Sequence, residues 1–303
     1  MTKPVFRFAP SPTGDLHLGS AYSALVNFRL AELTGGRMIL RVEDVDTTRS
    51  RPDFERGILD DLAWLGLRWE EPVRRQSEHF DEYGRAMETL KRDGLVYPSF
   101  LSRKEISGLL AQKPDDWPRD PDGTPHYPGA ERTMPPEERA ARLAAGDRAA
   151  WRLDMAAALE RIGGSGDLSW WELPLVGTAG PARIAARPGA WGDAVLVSKD
   201  YPASYHLAVV HDDALQGVTH VVRGQDLYHA TGLHRLLQTL LGLPEPVYLH
   251  HPLLLDAKGR KLSKSDRDTS VSSLRKSGGS RDEILAMLPP LPESAPSALR
   301  RFE

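Results

Sequence analysis

The chain has 303 residues, 27% of them charged, a formal net charge of −3 and no cysteine. The missing thiols exclude disulfides, thiolate metal sites and a cysteine nucleophile, and the near-balanced charge means that a nucleic acid would be held by a local patch. The N-terminus is polar up to Val5 and no apolar run approaches ~18 residues, so neither a signal peptide nor a membrane span is expected, and a cytoplasmic location is.

In chain order, Val5 to Ala9 reads as a short buried strand followed by a Pro- and Gly-rich turn. Apolar residues at 18, 21, 22, 25 and 28 follow the helical period between Leu18 and Leu33, and Gly35-Gly36 ends that helix. Met38 to Val42 is a second strand with acidic residues just beyond it. Ser50 and Pro52 read as an N-cap and a first-turn proline. The helix they open has Phe54, Ile58, Leu62 and Leu65 on one face and stops at Gly66. Tyr83, Met87 and Leu90 mark another helix, closed by Gly94. This β-α-β-α succession predicts an α/β fold: a Rossmann-like, doubly wound parallel sheet with helices on both faces.

Between about 95 and 192 the periodicity is poor, and prolines and glycines crowd 114–136 and 163–192. That stretch reads as an inserted connective subdomain between the two halves of the sheet, 1–94 and 193–257. In the second half, Asp193 to Val197 and Tyr205 to Val210 read as strands, His234 to Leu241 as a helix, and Val247 to Leu255 as the approach to a basic loop. Residues 258–303 hold that loop and a short helical segment, Arg281 to Leu288, too little for a further folded domain.

Two segments carry chemistry. Pro10-Ser11-Pro12-Thr13-Gly14-Asp15-Leu16-His17-Leu18-Gly19-Ser20 turns from a strand into a helix, presenting free N–H groups and a positive dipole end to an anion. Lys261-Leu262-Ser263-Lys264-Ser265 supplies two lysines and two serines on a loop, as a phosphate clamp requires. Together they point to ATP-dependent chemistry. His17 can donate to a phosphate oxygen without a permanent charge, Gly19 leaves room for a flat purine, and Thr13 offers a hydroxyl. Lys261 and Lys264 are the mobile counter-charge. Arg7, at a strand end, suits bidentate carboxylate capture, and Glu43 can pair with an α-ammonium.

The two segments resemble the signatures of class I aminoacyl-tRNA synthetases, His-x-Gly-His (here with Ser20 in the last place) and Lys-Met-Ser-Lys-Ser. The similarity is to the glutamyl branch. It is carried also by Arg7-Phe8-Ala9-Pro10-Ser11-Pro12-Thr13-Gly14, by Arg41-Val42-Glu43-Asp44-Val45-Asp46, by Ser204 to Asp213 and by Val221 to Leu227. These blocks are collinear and run from about 5 to 266. The resemblance implies glutamate activation with ATP, magnesium arriving with the nucleotide, and a tRNA as acceptor, by a monomeric enzyme. It places His17 and Lys264 in catalysis, Thr13, His17, Gly19, Lys261 and Lys264 on ATP, and Arg7, Ala9, Ser11, Glu43, Tyr205 and Arg223 on glutamate. Asp44, Asp46, Asp212 and Asp213 are expected to be structural partners.

Larger glutamyl enzymes carry an anticodon-binding domain where this chain has only residues 266–303. The resemblance to a truncated paralogue of that branch implies queuosine in the anticodon loop of tRNA(Asp) as the acceptor. The alternatives are the tRNA 3′ end, or a non-catalytic glutamate- or nucleotide-binding paralogue. Arg74-Arg75, Arg103-Lys104 and Arg275-Lys276 are candidate RNA phosphate contacts or plain solvated charge. Related short enzymes hold zinc in the insertion. Here Ser99, Leu101 and Glu131 stand where thiolates are expected and only Tyr127 survives, so no metal site is expected. Packing around Trp117, Trp151, Trp170 and Trp171 is expected to hold the insertion instead.

Overall fold

The computed structural model describes residues 3–175, 180–255, 270–296 and 299. β1 (Val5–Phe8) is followed by α1 (Leu18–Thr34), β2 (Arg37–Val42), α2 (Pro52–Trp64), β3 (Glu70–Arg75) and α3 (Phe80–Arg92). Next come β4 (Val96–Ser99), α4 (Arg103–Leu110), α5 (Pro136–Ala144), β5 (Ala150–Leu153), α6 (Met155–Arg161), β6 (Ser169–Glu172), β7 (Ala182–Ala185) and β8 (Val195–Val197). The rest is α7 (Tyr205–Leu215), β9 (His220–Gly224), α8 (Ala230–Leu240), β10 (Val247–His251), α9 (Val271–Lys276) and α10 (Arg281–Ala286). Among the described residues no helix is long and apolar enough to cross a membrane.

Seven strands form one sheet in the order β3-β2-β1-β9-β10-β6-β7. Neighbours are parallel from β3 to β6, and only β7 is antiparallel. Strands β4, β5 and β8 make a separate antiparallel sheet. The chain winds outward from β1 to β2 and β3, then returns to the middle at β9 and winds the other way to β10. The order therefore reverses between β1 and β9, where a crevice opens at the C-terminal strand ends.

Both faces of the large sheet are apolar because side chains alternate along a strand. Phe6, Leu40, Val222 and Leu249 pack with α1 and α2 on one side. Val5, Ile39, Val221 and Tyr248 pack with α3, α7 and α8 on the other. On that second face, the residue two positions further along each strand is polar: Arg7, Arg41, Arg223 and His250. Arg223 and His250 are level on β9 and β10, whereas Arg7 is level with Ile39 on β2, two residues below Arg41, so the four polar side chains step up the sheet toward the crevice.

The structure differs from the sequence reading at several elements. Tyr205 to Val210 is helical, not a strand. The run Leu207-Ala208-Val209-Val210 is buried throughout, so it lacks the one-sided pattern of a surface helix, and the Ser204 hydroxyl accepting from Leu207 N at 3.4 Å sets the N-terminus. Ser50 does not cap α2. The N-cap is Arg51, without a side-chain bond, because the chain entry is fixed instead by Arg51 N on Pro12 O at 3.0 Å. Of residues 95–192, β4 and β5 belong to the small sheet, whereas β6 and β7 complete the edge of the large one. Trp170 and Trp171 sit on β6 and pack into the two main cores, so of the four tryptophans only Trp117 and Trp151 lie with the small sheet's segment.

Burial sets an acid limit on this fold. His220, 1% exposed and stacked on Phe6, is pulled down to about 4 by desolvation, and His206 likewise to about 4, by burial and then the Arg223 charge. Unfolded, each would titrate near 6.5, so below that value the unfolded chain binds more protons. Stability should be full above about pH 6.5 and fall toward pH 4 by about 1.4 kcal/mol per pH unit per histidine. Urea midpoints at pH 7, 6 and 5 measure this. His220→Phe should flatten the slope, and an unchanged slope would remove His220 from the account.

Candidate active site

A cleft of about 370 Å³ lies at the strand-order reversal, lined by Arg7, Ala9, Ser11, His17, Gly19, Glu43, Tyr205 and Arg223 together with Asp15, Ser20, Ser23, Gly224, Asp226, Leu227, His251, Leu253 and Leu254. Eight of the expected residues are therefore brought to one place from four separate parts of the chain. Thr13 lies in the same turn, its N–H on Ser11 O at 2.9 Å, but it does not line the cleft. Lys261 and Lys264 lie outside the described residues, as do Ser263 and Ser265. The loop's C-terminal flank is described. Val271 N donates to Leu16 O at 2.8 Å and Ser270 bridges to His17, so that flank is joined to the turn before α1.

His17 is the N-cap of α1, its Nδ1 accepting from Ser20 N at 3.2 Å. An accepting Nδ1 makes the ring neutral, with its proton on Nε2, 2.8 Å from Ser20 Oγ. A Cβ on Gly19 would come within 3.1 Å of the His17 ring. The glycine therefore makes room for the histidine itself, in addition to opening the helix end. Gly224 has a parallel reason: a Cβ there would lie 2.5 Å from the Asp226 carboxylate, which the bare backbone lets into the cleft wall.

Beneath the cleft is a buried charge network. Arg41 is fully buried, donates to Glu43 at 3.0 Å and pairs with Asp213 at 2.8 Å. Burial alone would lower its pKa, and Asp213, Glu43 and Asp212 together more than reverse that. Arg7 Nε pairs with Asp213 at 3.2 Å. Asp212 accepts from Arg74 at 3.0 Å, Gln76 at 2.9 Å and Tyr83 at 2.8 Å. Burial would raise its pKa, but His211, Arg41, Gln76 and Arg74 hold it at about 2. Asp212 and Asp213 are structural partners, as expected, and Asp44 likewise accepts from Ser77 N and Oγ. Burial raises the pKa of Glu43 against the pull of Arg41 and Arg7. Arg7, Arg41 and Arg74 face Glu43, Asp212, Asp213 and Glu82, one carboxylate more than guanidinium.

Arg223 is the opposite case. It is 4% exposed, and among the described residues no carboxylate lies within ion-pair distance of it. Of the network groups only Arg7 and Glu43 line the cleft; Glu43, together with an Arg223 that has no carboxylate partner among the described residues, makes the cleft complementary to an ammonium and an anion on one small molecule.

Elsewhere, charge is used internally. Arg74 and Arg75 are paired with Asp212, Glu82 and Glu55, and Arg275 with the buried Asp61 at 3.2 Å. These three therefore each have a carboxylate partner within the protein. Arg103 has a 94% exposed side chain and lies 4.0 Å from Asp200. Glu82, His211 and Asp212 could geometrically hold a cation, but Arg74 already sits on both carboxylates.

Ser99, Leu101, Tyr127 and Glu131 come together around the buried Glu131 carboxylate. It accepts from Phe100 N at 2.5 Å, Leu101 N at 3.1 Å and Tyr127 OH at 2.5 Å, and Ser99 Oγ donates to Tyr127 at 3.1 Å. Three oxygens already engaged as hydrogen-bond partners, with no thiolate or imidazole, do not fit zinc. The Arg152 guanidinium lies over Tyr127, 3.7 Å from the ring centre. Chelation should therefore leave the unfolding midpoint unchanged, whereas Glu131→Ala, which strands two N–H donors and a phenol, should cost about 2–4 kcal/mol. A midpoint that drops on chelation would overturn this reading.

Sequence reasoning missed Arg41, His234, His250 and Glu172 as site groups. The strand alternation could have singled out Arg41, which sits two residues before Glu43. The others have no local signal.

Residues 4–291 match the model of the class I tRNA synthetases (E and Q), catalytic domain, and the chain belongs to that family, a family of ligases. Within it, the chain is similar to a protein of Rhodobacter capsulatus named Glutamyl-Q tRNA(Asp) synthetase, 42% identical over 94% of this chain and 99% of that one. It is also similar to a Glutamate--tRNA ligase of Synechococcus sp., 35% identical over 97% of this chain but 59% of the other. The crystal structure of a glutamate tRNA ligase from Elizabethkingia meningosepticum, in complex with its amino acid, superposes with a TM-score of 0.69 at 30% identity. That match covers 88% of this chain and 53% of the other, so the chain spans about half the length of the solved relative.

Proposed function

We propose that the chain activates L-glutamate with ATP, without tRNA, and transfers the glutamyl group to queuosine in the anticodon loop of tRNA(Asp). The observation that carries the amino-acid half is Arg223, which has no carboxylate partner among the described residues, in the same cleft as Glu43. Glu43 and Ser11 bind the α-ammonium. Arg223, with Tyr205 and Arg7 beside it, takes the side-chain carboxylate, and Ala9 forms the floor. With the α-carboxylate turned toward ATP, the anion on Arg223 has to come from the side chain of an acidic amino acid.

The α-carboxylate oxygen attacks the α-phosphorus of ATP and pyrophosphate leaves. There is little covalent work for the protein; it aligns reactants and stabilises charge growing on the phosphates. The N-terminus of α1 and His17 face the nucleotide, with Gly19 at the helix mouth and Thr13 in the turn just before it. Lys261 and Lys264 neutralise the departing pyrophosphate. Magnesium enters as the ATP complex, and no zinc takes part. A nucleoside hydroxyl then displaces AMP from the adenylate to give the ester. A monomer working in the cytoplasm suffices, since one chain carries the whole cleft.

The queuosine half is supported by the near full-length match to the Rhodobacter protein and that protein's name. Its chemical logic is that a cyclic diol in the anticodon presents the same vicinal hydroxyls as a terminal ribose. The match to the Synechococcus ligase favours a second reading, charging of a tRNA 3′ end. Glutamate-dependent pyrophosphate exchange without tRNA tests the shared first step. Exchange with glutamate and not with glutamine or aspartate is expected. No exchange with any amino acid would leave a binding paralogue and overturn the proposal.

A further inference from the structure

Among the described residues, every hydrogen-bond acceptor of Arg223 is a neutral group. It donates to His250 Nε2 at 3.2 Å, His234 Nδ1 at 3.1 Å, Tyr205 Oη at 3.5 Å, Leu227 O at 3.1 Å and Thr231 Oγ1 at 2.7 Å. These contacts dictate the protons of three histidines, because an arginine can only donate. His234 must offer the Nδ1 lone pair, so its proton is on Nε2, 3.1 Å from His206 Nδ1, which in turn accepts. His250 must offer the Nε2 lone pair. Its proton is then on Nδ1, 3.0 Å from both oxygens of Glu172. Glu172 is itself fixed by His250 N at 3.0 Å and Trp170 Nε1 at 2.9 Å. Two one-way hydrogen-bond chains therefore end on one guanidinium.

We propose that His234, His206, His250 and Glu172 are positioning residues that hold Arg223 rigid, with no carboxylate partner among the described residues, so that the side-chain carboxylate of the amino-acid substrate supplies its anion by taking over the N–H that makes the long 3.5 Å bond to Tyr205. This rests on the glutamate reading above and adds what makes it selective. A carboxylate placed directly on Arg223 would pair it and compete with substrate. Glu172 instead acts from one imidazole away, steering a tautomer without touching the guanidinium. The neutral state of the cradle follows from what surrounds it. His234 faces Arg223, Arg7, His206 and His250, all cationic or able to become so, and burial followed by those charges lowers its pKa well below the ordinary value. His250 faces Arg223 and His251 against the single Glu172. Burial and Arg223 outweigh that carboxylate, and its pKa too is lowered.

The test separates acceptor geometry from packing. His234→Leu and His250→Leu remove the acceptors. Asparagine at 234 and glutamine at 250 keep a carbonyl oxygen close to where Nδ1 and Nε2 lie. In pyrophosphate exchange, the leucine variants should raise KM for glutamate about 10- to 100-fold, with KM for ATP within about threefold. H234N and H250Q should recover most of the loss. His234→Asp, which gives Arg223 an internal anion, should bind glutamate more weakly than His234→Leu despite being polar. Nitrogen shifts of labelled histidines provide a readout independent of turnover: Nε2-H tautomers at His234 and His206, Nδ1-H at His250. Equal changes in both KM values, unaltered glutamate binding in H234D, or an imidazolium at neutral pH would each overturn the inference while leaving the glutamate reading standing. Absence of glutamate-dependent exchange in the unaltered chain would overturn that reading and this inference with it.

Discussion

Replacing His17 by asparagine is expected to leave the fold intact and to slow glutamate-dependent pyrophosphate exchange by about 10²–10³-fold, the cost typical of losing one preorganised donor to a developing oxyanion. The residue does two jobs that the substitution separates. Its Nδ1 caps α1 by accepting from Ser20 N, and asparagine is among the best replacements for that role. Its Nε2–H, on Ser20 Oγ at 2.8 Å, lies at the helix mouth where the macrodipole is positive and can pass to a phosphate oxygen, and asparagine has no counterpart at that reach. His17→Ala should lose the same catalytic factor plus about 1 kcal/mol of stability from the missing cap. Lys264→Ala should match the catalytic loss with no change in unfolding. Near-normal exchange in both H17N and K264A, with folded protein, would remove the ATP assignment.

The second large effect concerns the amino acid. Arg223→Leu is expected to lower kcat/KM for glutamate by about 10²–10⁴-fold, the range for removing one partner of a buried, hydrogen-bonded charge pair. It should also collapse the preference for glutamate over glutamine. In the unaltered chain an amide would leave the guanidinium buried without an anion, and such a mismatch supports discrimination of about 10⁴–10⁵-fold. With leucine in place, that penalty is gone and the two substrates should be handled within about tenfold of each other. Arg223→Lys keeps a charge but cannot serve the acceptors around it, so it should restore little. Discrimination retained in R223L would move the reading of the carboxylate to Arg7, whose Nε is already committed to Asp213.

Much of this site was legible because its anchors are marked locally. Prolines and glycines around Leu18, the helical period after it and the acids beyond β2 are short-range signals, and they fixed β1, α1 and β2 closely. What the sequence did not disclose is made by distant partners. β3 reads Glu-Glu-Pro-Val-Arg-Arg, with no strand pattern at all, and exists because β2 offers an open edge. α7 reads as a strand in the sequence because a short, wholly buried apolar run has no period to betray it. β6 and β7 join the large sheet only through β10 and each other. The cradle of Arg223 is the extreme case, since His234 is 11 residues away and Glu172 lies 78 residues before the His250 it orients. A histidine at such a distance is one of many until the fold picks it out.

The central claim is that one cleft both activates glutamate and receives an anticodon nucleoside. It is tested most directly by incubating the chain with labelled glutamate, ATP and tRNA(Asp) with and without queuosine, then trimming the 3′-terminal adenosine with a nuclease and mapping the label. The account predicts label only in the queuosine-containing tRNA, retained in the anticodon fragment after trimming. Label that appears in both tRNAs and leaves with the terminal adenosine would contradict it and make the chain a charger of tRNA 3′ ends.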